Sequence, residues 1–317
     1  MPDPDAPRPS TQPTTSASAP TAAGEADGRP TDAWVTAQGT AVRLRWYEPA
    51  GGGAGPALLV LHGLVTGVDP LRHARSGLDP FARLAATGHA VAALDWPGHG
   101  RSGGRRGWLD YPLAMRAVTA GIDAVVARWA RPVALLGVGL GGTLALYGAL
   151  EDRRVAAVVA QAPLDLRDVR AASARPAARG LLPLAAQARR RVGPALDHLP
   201  VPARLLLDPA ALSEHRRTAL RLLRHPQAVR RYPLGGLGQL LLEPADKPDL
   251  AATRAPTLLV AGSADRTVPP GALRRVAGRL SAPHTVWQLP GGGHQLLVDH
   301  ADALIGATTA FLRRRAR

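Results

Sequence analysis

Short apolar runs alternate with longer segments of helical spacing along most of the chain. The runs that predict strands lie near residues 33–37, 42–47, 57–61, 90–95, 133–137, 155–160, 257–262 and 284–289. The segments that predict helices lie near residues 79–87, 111–129, 141–150, 269–280 and 296–314. This alternation predicts an α/β fold with an eight-stranded, mostly parallel sheet and helices on both of its faces.

The alternation stops between Pro163 and about Leu250. The sequence there is rich in leucine, alanine and arginine at helical spacing, and several prolines interrupt its apolar blocks. We therefore predict an α/β core formed by residues 33–163 and 251–317, with a helical insertion at residues 164–250. The apolar faces of the inserted helices suit either a pocket for an acyl or polyketide-like group or ordinary helix packing.

A glycine-rich turn, which we call the elbow, follows the fifth predicted strand. The run Gly137-Val138-Gly139-Leu140-Gly141-Gly142 joins the apolar segment 132–136 to the helix-forming segment 143–150. The run therefore predicts a buried strand that turns sharply into a helix, with Gly139 at the centre of the turn. Glycine adopts strained backbone conformations readily but offers no side chain for chemistry.

An acid and a histidine follow the last two predicted strands. Asp265 comes shortly after the strand at 257–262, and His294 follows the strand at 284–289 in a glycine-rich loop. Together they form a potential pair in which the carboxylate fixes the tautomer of the imidazole and stabilises its protonated form. The pair is therefore a candidate general base with its orienting group. The simpler interpretation is an exposed or hydrogen-bonded histidine without a chemical role.

Two further motifs follow buried strands in the first half of the chain. His62-Gly63-Leu64 comes after the third strand, and Asp95-Trp96-Pro97-Gly98-His99-Gly100-Arg101-Ser102 comes after the fourth. With these motifs, the elbow and the acid–histidine pair, the chain resembles α/β-hydrolases of the monoacylglycerol lipase, lysophospholipase and proline-iminopeptidase group. The resemblance covers roughly residues 33–165 and 250–317.

The resemblance implies the α/β-hydrolase fold, with residues 164–250 lying over the active site as a helical cap. It also implies that Gly139 occupies the position of the serine nucleophile, with the acid and the base following in the chain order of the group. The backbone N–H groups of Leu64 and Leu140 are expected to stabilise a developing oxyanion.

No other hydroxyl side chain is expected to replace the missing nucleophile. Ser102 belongs to a turn that is structural in the group that the chain resembles. Ser263 lies beside the acid rather than opposite it, and Thr143 is expected one helical turn past the elbow, pointing away. Asp165, just after the sixth strand, is an alternative position for the acid, although Asp265 has the better local match.

The glycines of the elbow also fit the dinucleotide-binding pattern G-x-G-x-x-G. Gly137, Gly139 and Gly142 lie between a strand and a helix, as that pattern requires. However, the pattern needs an acidic residue about 20 positions further on, and the next strand, 155–160, is followed by Gln161. We therefore predict no nucleotide cofactor, and the sequence suggests no metal ion.

Composition adds a strongly basic surface to this picture. The chain of 317 residues has a net charge of +15, contains no cysteine, and has Lys247 as the single lysine among 39 basic residues. These arginines are typical either of a solvated surface encoded by a GC-rich genome or of contacts with an anionic group such as a phosphate. Because aromatic residues make up only 4% of the chain and no nucleic-acid module is present, we predict no nucleic-acid partner. The arginine clusters lie at Arg189–Arg191, Arg216–Arg217, Arg230–Arg231 and Arg313–Arg315.

The first 32 residues differ from the rest of the chain. They are dominated by Pro, Thr, Ala, Ser and Asp, which predicts a disordered extension. They lack the basic start and apolar run of a secretory signal peptide. Nowhere does the chain approach the ~18 consecutive apolar residues of a membrane span, so we expect a cytoplasmic protein.

Three functions are consistent with the sequence. The first is an atypical enzyme in which the Asp265–His294 pair acts as a general base on water or on a carbon acid of an acyl or ester-type substrate. The second is a non-catalytic protein that binds such a small molecule or a biosynthetic intermediate. The third is a lipase- or esterase-like serine hydrolase that is inactivated at the elbow.

Overall fold

A computed structural model of the chain describes residues 29–315, apart from residues 54, 76, 169–179, 181–183, 186, 190 and 242–246. Eight strands of this part of the chain form one sheet in the order β1-β2-β4-β3-β5-β6-β9-β10, and β7 pairs with β8 in a separate ribbon. The strands are β1 (Thr31–Ala37), β2 (Thr40–Tyr47), β3 (Ala57–Leu61), β4 (Val91–Leu94), β5 (Val133–Val138), β6 (Val155–Gln161), β7 (Pro200–Pro202), β8 (Arg231–Pro233), β9 (Thr257–Gly262) and β10 (His284–Leu289).

The sheet is parallel except at one strand. β2 runs antiparallel to both of its neighbours, β1 and β4, whereas the remaining neighbours pair in parallel. Every residue of β3, β5 and β9 is buried, as expected for continuous apolar strands covered on both faces. The predicted eight-stranded, mostly parallel sheet is therefore confirmed.

Helices connect the strands close to the predicted positions. One prediction was wrong: the helix expected over 296–314 is interrupted at His300, where φ is −135° and ψ is 44°. None of the described helices is both long and apolar enough to cross a bilayer. The α-helices are α1 (Val68–Arg72), α2 (Pro80–Ala86), α3 (Tyr111–Trp129), α4 (Leu140–Glu151), α5 (Arg216–Arg224), α6 (Leu234–Leu241), α7 (Pro270–Ala277), α8 (Leu296–Asp299) and α9 (Ala301–Arg315).

The sheet begins earlier than the sequence predicts. β1 starts at Thr31, so residues 31 and 32 belong to the sheet and not to an N-terminal extension. The Asp32 carboxylate lies 3.0 Å from the guanidinium of Arg43 on β2, which is fully buried. This ion pair explains why an acidic residue lies in the strand. The rest of the predicted extension, up to residue 28, lies outside the described residues.

Residues 164–250, which we call the cap segment, connect β6 to β9. Its described part contains α5, α6 and a short antiparallel ribbon of β7 and β8, which the sequence did not predict. Pro200, Pro202 and Pro233 lie in this ribbon, where proline is tolerated because each strand has only one partner. The division of the chain into a core and a cap stays a prediction.

Candidate active site

The elbow lies between β5 and α4. Gly139 has φ 58° and ψ −118°, a conformation that residues with a side chain rarely adopt. Its N–H donates a hydrogen bond to the Gln161 carbonyl oxygen at 2.8 Å, and its own carbonyl oxygen accepts one from the Thr143 N–H at 3.1 Å. The turn is thereby fixed between β6 and the first turn of α4.

The four glycines of the elbow have different surroundings. A Cβ atom added to Gly137, Gly141 or Gly142 would lie 2.0, 2.1 or 2.7 Å, respectively, from a backbone oxygen. At Gly139 the nearest atom to such a Cβ is His294 Nε2, at 3.4 Å, which is an ordinary contact distance. Close packing of backbone therefore requires the other three glycines, whereas position 139 has room for a side chain.

His294 and Asp265 lie side by side at the edge of the sheet. Nδ1 of His294 is 2.9 Å from Oδ2 of Asp265, and both residues are buried. The other carboxylate oxygen accepts hydrogen bonds from the N–H groups of Thr267 at 2.7 Å and Val268 at 2.9 Å. These contacts assign the proton to Nδ1 and leave Nε2 as an acceptor, facing the elbow at Gly139.

Gln161, at the end of β6, connects the elbow to residues 290–300, which we call the histidine loop. Its backbone oxygen binds the Gly139 N–H, and its side-chain Nε2 donates to the His294 carbonyl oxygen at 2.9 Å. Gln161 is fully buried. The sequence did not predict this contact, although a single amide at the end of an otherwise apolar strand, VAAVVAQ, was a signal for a specific polar contact.

Leu64 and Leu140 border the same cavity as His294. Leu140 is the first residue of α4, so its N–H has no acceptor within the helix. The Leu64 N–H has no backbone acceptor among the turns and loops of the described residues. The role of both groups as oxyanion donors stays a prediction.

Two buried histidines, His62 and His99, lie side by side at the loop of residues 62–66, which we call the oxyanion loop after its predicted role. His62 Nδ1 lies 2.7 Å from the Gly63 carbonyl oxygen, and its Nε2 accepts a hydrogen bond from the Trp96 N–H at 3.2 Å. Burial lowers the pKa of His62 to about 4 and that of the neighbouring His99 to about 3. Both rings are therefore neutral near pH 7 and act as structural hydrogen-bonding groups.

A buried ion-pair cluster ties the loops after β3 and β4 to β2. Arg43 Nη1 lies 3.0 Å from the Asp69 carboxylate and 3.1 Å from the Asp95 carboxylate. Asp95 also accepts hydrogen bonds from the N–H groups of Val68 at 2.7 Å and Arg101 at 3.1 Å. The cluster therefore fixes the segment that follows the oxyanion loop. The sequence did not predict that these charges meet.

The two candidate serines lie in structural turns. The Ser102 hydroxyl donates to the Asp95 carbonyl oxygen at 2.6 Å and accepts from the Arg43 N–H at 2.8 Å. The Ser263 hydroxyl accepts from the Gly291 N–H at 2.8 Å. Neither serine borders the cavity at the elbow.

Thr143 lies closer to the site than the sequence predicts. It borders the cavity instead of pointing away from it. Its hydroxyl accepts a hydrogen bond from the Leu164 N–H at 2.8 Å and donates to the Gly139 carbonyl oxygen at 3.4 Å. Because α4 begins directly at the elbow, its first turn also faces the cavity, and the hydroxyl is engaged by backbone.

Asp165 borders the cavity but does not contact the histidine. Its carboxylate accepts a hydrogen bond from the Tyr147 hydroxyl at 2.8 Å and pairs with Arg279 at 3.0 Å. Of the two acids that the sequence offered, the one beside His294 is therefore Asp265.

The cavity over the elbow has a volume of ≈ 90 Å³, which exceeds the ~10–15 Å³ that one water requires. No arginine or lysine is among the described residues that line it. Gly139, His294, Leu64 and Leu140 are among its lining residues. Its walls are mainly apolar, with core and cap side chains that include Leu164, Leu166, Leu206, Leu207, Leu212, Leu241 and Val268.

The arginine clusters lie mainly on exposed surfaces. On α5, the buried residues Thr218, Ala219 and Leu222 face the protein, and the arginines of the helix are exposed. Arg189 instead pairs with Asp197 at 2.6 Å, and Arg190 lies outside the described residues. The cap segment therefore carries several exposed arginines, and their contact with an anionic group stays a prediction. The exposed arginines of the other clusters and of α5 are Arg191, Arg216, Arg217, Arg221, Arg224, Arg230, Arg231, Arg313 and Arg314.

The Hydrolase_4 family, described as serine aminopeptidase, S33, matches residues 56–301 of the chain. The chain belongs to this family. The matched region begins just before β3 and ends at the start of α9, so it includes the elbow, the oxyanion loop, Asp265 and His294. The resemblance to α/β-hydrolases that the sequence indicates is thus confirmed at the level of the family.

Proteins similar in sequence include esterases. A pimeloyl-acyl-carrier-protein methyl ester esterase of Xanthomonas campestris pv. campestris is 32% identical over 273 residues, which cover 82% of this chain and 96% of that protein. The enzyme of the same name from Stenotrophomonas maltophilia is 27% identical over 284 residues, covering 82% of this chain and 94% of that protein.

Solved structures support the fold. Paleococcus ferrophilus monoacylglycerol lipase superposes with a TM-score of 0.66 at 22% identity and covers 90% of this chain and 99% of its own. A soluble variant of Saccharomyces cerevisiae monoglyceride lipase gives a TM-score of 0.72 at 13% identity, with 90% and 95% coverage. The α/β-hydrolase fold predicted from the sequence is therefore confirmed.

Proposed function

We propose that the protein is an enzyme in which His294, oriented by Asp265, acts as a general base without a serine nucleophile. The observation that carries this proposal is the position of His294 Nε2, 3.4 Å from the point where a side chain would begin at Gly139. We infer that position 139 is the nucleophile position and that glycine takes the place of serine there. A water molecule can then occupy the space in front of the base.

Water is the nucleophile in this route. The water oxygen attacks the carbonyl carbon of an ester while His294 takes a proton from the water. The N–H groups of Leu64 and Leu140 stabilise the negative charge on the carbonyl oxygen. The tetrahedral intermediate then releases the alcohol, to which His294 returns the proton. The products are an acid and an alcohol, and no acyl-enzyme forms.

The surroundings of the base favour a neutral acyl group. The cavity walls are mainly apolar, and neither an arginine nor a lysine is among the described residues that line it. The exposed arginines Arg216, Arg217, Arg221 and Arg224 lie outside, on α5. Relatives are named for a methyl ester on an acyl-carrier protein, which supports a substrate of the same kind. Its acyl ester would lie in the cavity, and its anionic carrier would contact the exposed arginines of α5.

Two other roles use the same residues. The base and the oxyanion donors also suit removal of a proton from a carbon acid, whose enolate oxygen would bind the N–H groups of Leu64 and Leu140. Ligand binding without turnover is favoured by Gly139 itself, because the cavity is retained while the group that forms a covalent intermediate is absent.

Turnover of a short-chain p-nitrophenyl ester, at high enzyme concentration, tests the proposal. The native protein is compared with His294→Ala and with His284→Ala, which changes an exposed histidine at the start of β10. We expect slow release of p-nitrophenol that His294→Ala abolishes and His284→Ala preserves. Equal rates in all three proteins would exclude ester hydrolysis by His294. Calorimetric titration with a non-hydrolysable acyl analogue would then test binding alone.

A further inference from the structure

The cap segment contacts the histidine loop through the side chain of Glu214, just before α5. One carboxylate oxygen, Oε1, accepts a hydrogen bond from the Gly293 N–H at 2.6 Å. The same oxygen lies 2.7 Å from Nε2 of His300. The carboxylate therefore contacts the loop on both sides of His294, once directly before it and once after α8.

A second acid, Asp299 at the end of α8, accepts hydrogen bonds from the segment that contains Glu214. The Asp299 carboxylate accepts hydrogen bonds from the Ser213 hydroxyl at 2.8 Å and from the Glu214 N–H at 3.0 Å. Gly293 permits this close approach, because a Cβ there would lie 2.9 Å from Glu214 Cγ. The turn at residues 213–214 is thus bound to the histidine loop by reciprocal hydrogen bonds.

We propose that Glu214 is a positioning residue that holds His294 in line with the elbow. The Gly293 N–H that it binds belongs to the residue directly before His294, and Gln161 binds the His294 carbonyl oxygen on the other side. The backbone of His294 is therefore restrained at both ends, whereas Asp265 restrains only its ring. Loss of the Glu214 contact frees one end, and the ring then moves relative to Gly139.

The charge on Glu214 is consistent with this role. Burial opposes ionisation, but hydrogen bonds from the Gly293 N–H and His300 outweigh it and lower the pKa of the Glu214 carboxyl below its ordinary value. The group is therefore a carboxylate near pH 7, and an ionised acceptor makes a stronger hydrogen bond than a neutral one.

Nuclear magnetic resonance with isotope-labelled histidine tests the position of His294 without any substrate. The His294 ring signals are identified by their loss in His294→Ala. In Glu214→Ala we expect these signals to shift and the Nδ1–H proton to exchange with water about tenfold faster. Glu214→Gln keeps an oxygen that accepts from the Gly293 N–H, so its signals should remain close to those of the native protein.

A matched control separates a local effect from a general one. Glu48→Ala removes a carboxylate that pairs with Arg128 on another part of the surface, and it should leave the His294 signals unchanged. The proposal is overturned if Glu214→Ala leaves the signals and the exchange rate unchanged, or alters them no more than Glu48→Ala does. If Glu214→Ala does not fold, Glu214→Asp, which shortens the reach of the carboxylate, should give the same change in smaller measure.

The catalytic consequence of this position rests on the proposed function. If His294 is the base, Glu214→Ala should lower kcat about 10- to 100-fold, the range that a small misplacement of a catalytic group produces, and leave KM nearly unchanged. If the native protein shows no His294-dependent turnover, the proposed function fails while the resonance test still decides the role of Glu214. A changed signal with unchanged kcat would overturn the catalytic part of the inference.

Discussion

The elbow at Gly139 and the loop at His294 border the same cavity, but they differ in the groups that they offer to it. On the histidine side both backbone and side chain are in place, with Asp265, Gln161 and Glu214 as hydrogen-bonding partners. On the elbow side the backbone keeps its strained geometry, with φ 58° and ψ −118°, and no side chain is present.

This difference shows that the shape of the elbow does not depend on the side chain at its central residue. The shape is imposed by close packing at Gly137, Gly141 and Gly142, where a Cβ would collide with backbone oxygens. Glycine at 139 then adopts the imposed conformation with less strain than any other residue. The fold therefore does not need a nucleophile in order to keep the site assembled.

The largest effect is expected from introducing a hydroxyl at the elbow. Gly139→Ser places an oxygen beside His294 Nε2, because the Cβ position is 3.4 Å from that nitrogen. We expect ester hydrolysis to rise at least about 1,000-fold and a fluorophosphonate probe to label the protein. Gly139→Ala is the control, since it has the same backbone strain without the hydroxyl. A folded Gly139→Ser variant that does not react would show that the two sides of the site are not aligned.

Substitution of different elbow glycines by alanine should lower the free energy of unfolding by different amounts. A Cβ on Gly141 would lie 2.1 Å from the Leu61 carbonyl oxygen, so Gly141→Ala should lower the free energy of unfolding by about 4 kcal/mol or more. Gly139→Ala meets no such clash, and the strain of its positive φ should lower that free energy by about 1–3 kcal/mol. Urea denaturation of both variants measures the difference. Equal losses would contradict the steric distinction within the elbow.

Asp265 and Asp165 give a matched pair of substitutions that tests which acid orients His294. In the Gly139→Ser background, Asp265→Asn should slow probe labelling about 100-fold, because an amide favours the wrong tautomer of His294. Asp165→Asn should change the rate less than about 3-fold, since Asp165 contacts Tyr147 and Arg279 instead. Labelling rates of the two variants at equal probe concentration show which acid orients His294. A larger effect at Asp165 would reassign the acid.

The last prediction, with about 1 kcal/mol for each histidine and pH unit, concerns the oxyanion loop and the stability of the protein in acid. The folded pKa values of about 4 for His62 and about 3 for His99 lie below the ordinary 6.5. As the pH falls below about 6.5, the unfolded chain therefore binds protons that the folded protein does not. Each histidine should then lower the free energy of unfolding by about 1 kcal/mol per pH unit, down to about pH 4.

Urea denaturation at about pH 7, 6 and 5 measures how steeply the free energy of unfolding falls with pH. His99→Gln removes one buried histidine and should reduce the slope, whereas His284→Gln changes an exposed histidine and should not. A slope that His99→Gln leaves unchanged would show that other groups control acid stability.

Much of the fold could be predicted because it depends on local pattern. Short apolar runs, and apolar–polar alternation in β2, predicted the eight strands of the sheet to within a few residues, and the glycine-rich run predicted the turn between β5 and α4. Errors arose where long-range contacts override local pattern. The pairing of Asp32 with Arg43 extends β1, and the non-helical backbone at His300 divides a predicted helix.

The sequence by itself determined the fold class, the order of elbow, acid and histidine, and the absence of a side chain at Gly139. Only the tertiary structure decided which acid meets His294 and which residues hold it, because these contacts join positions far apart in the chain. Asp265 is 29 residues from His294, Glu214 is 79 from Gly293, and Gln161 is 133 from His294. No local periodicity encodes such contacts; they form when parallel strands bring their carboxyl ends to one edge and the cap segment packs against it.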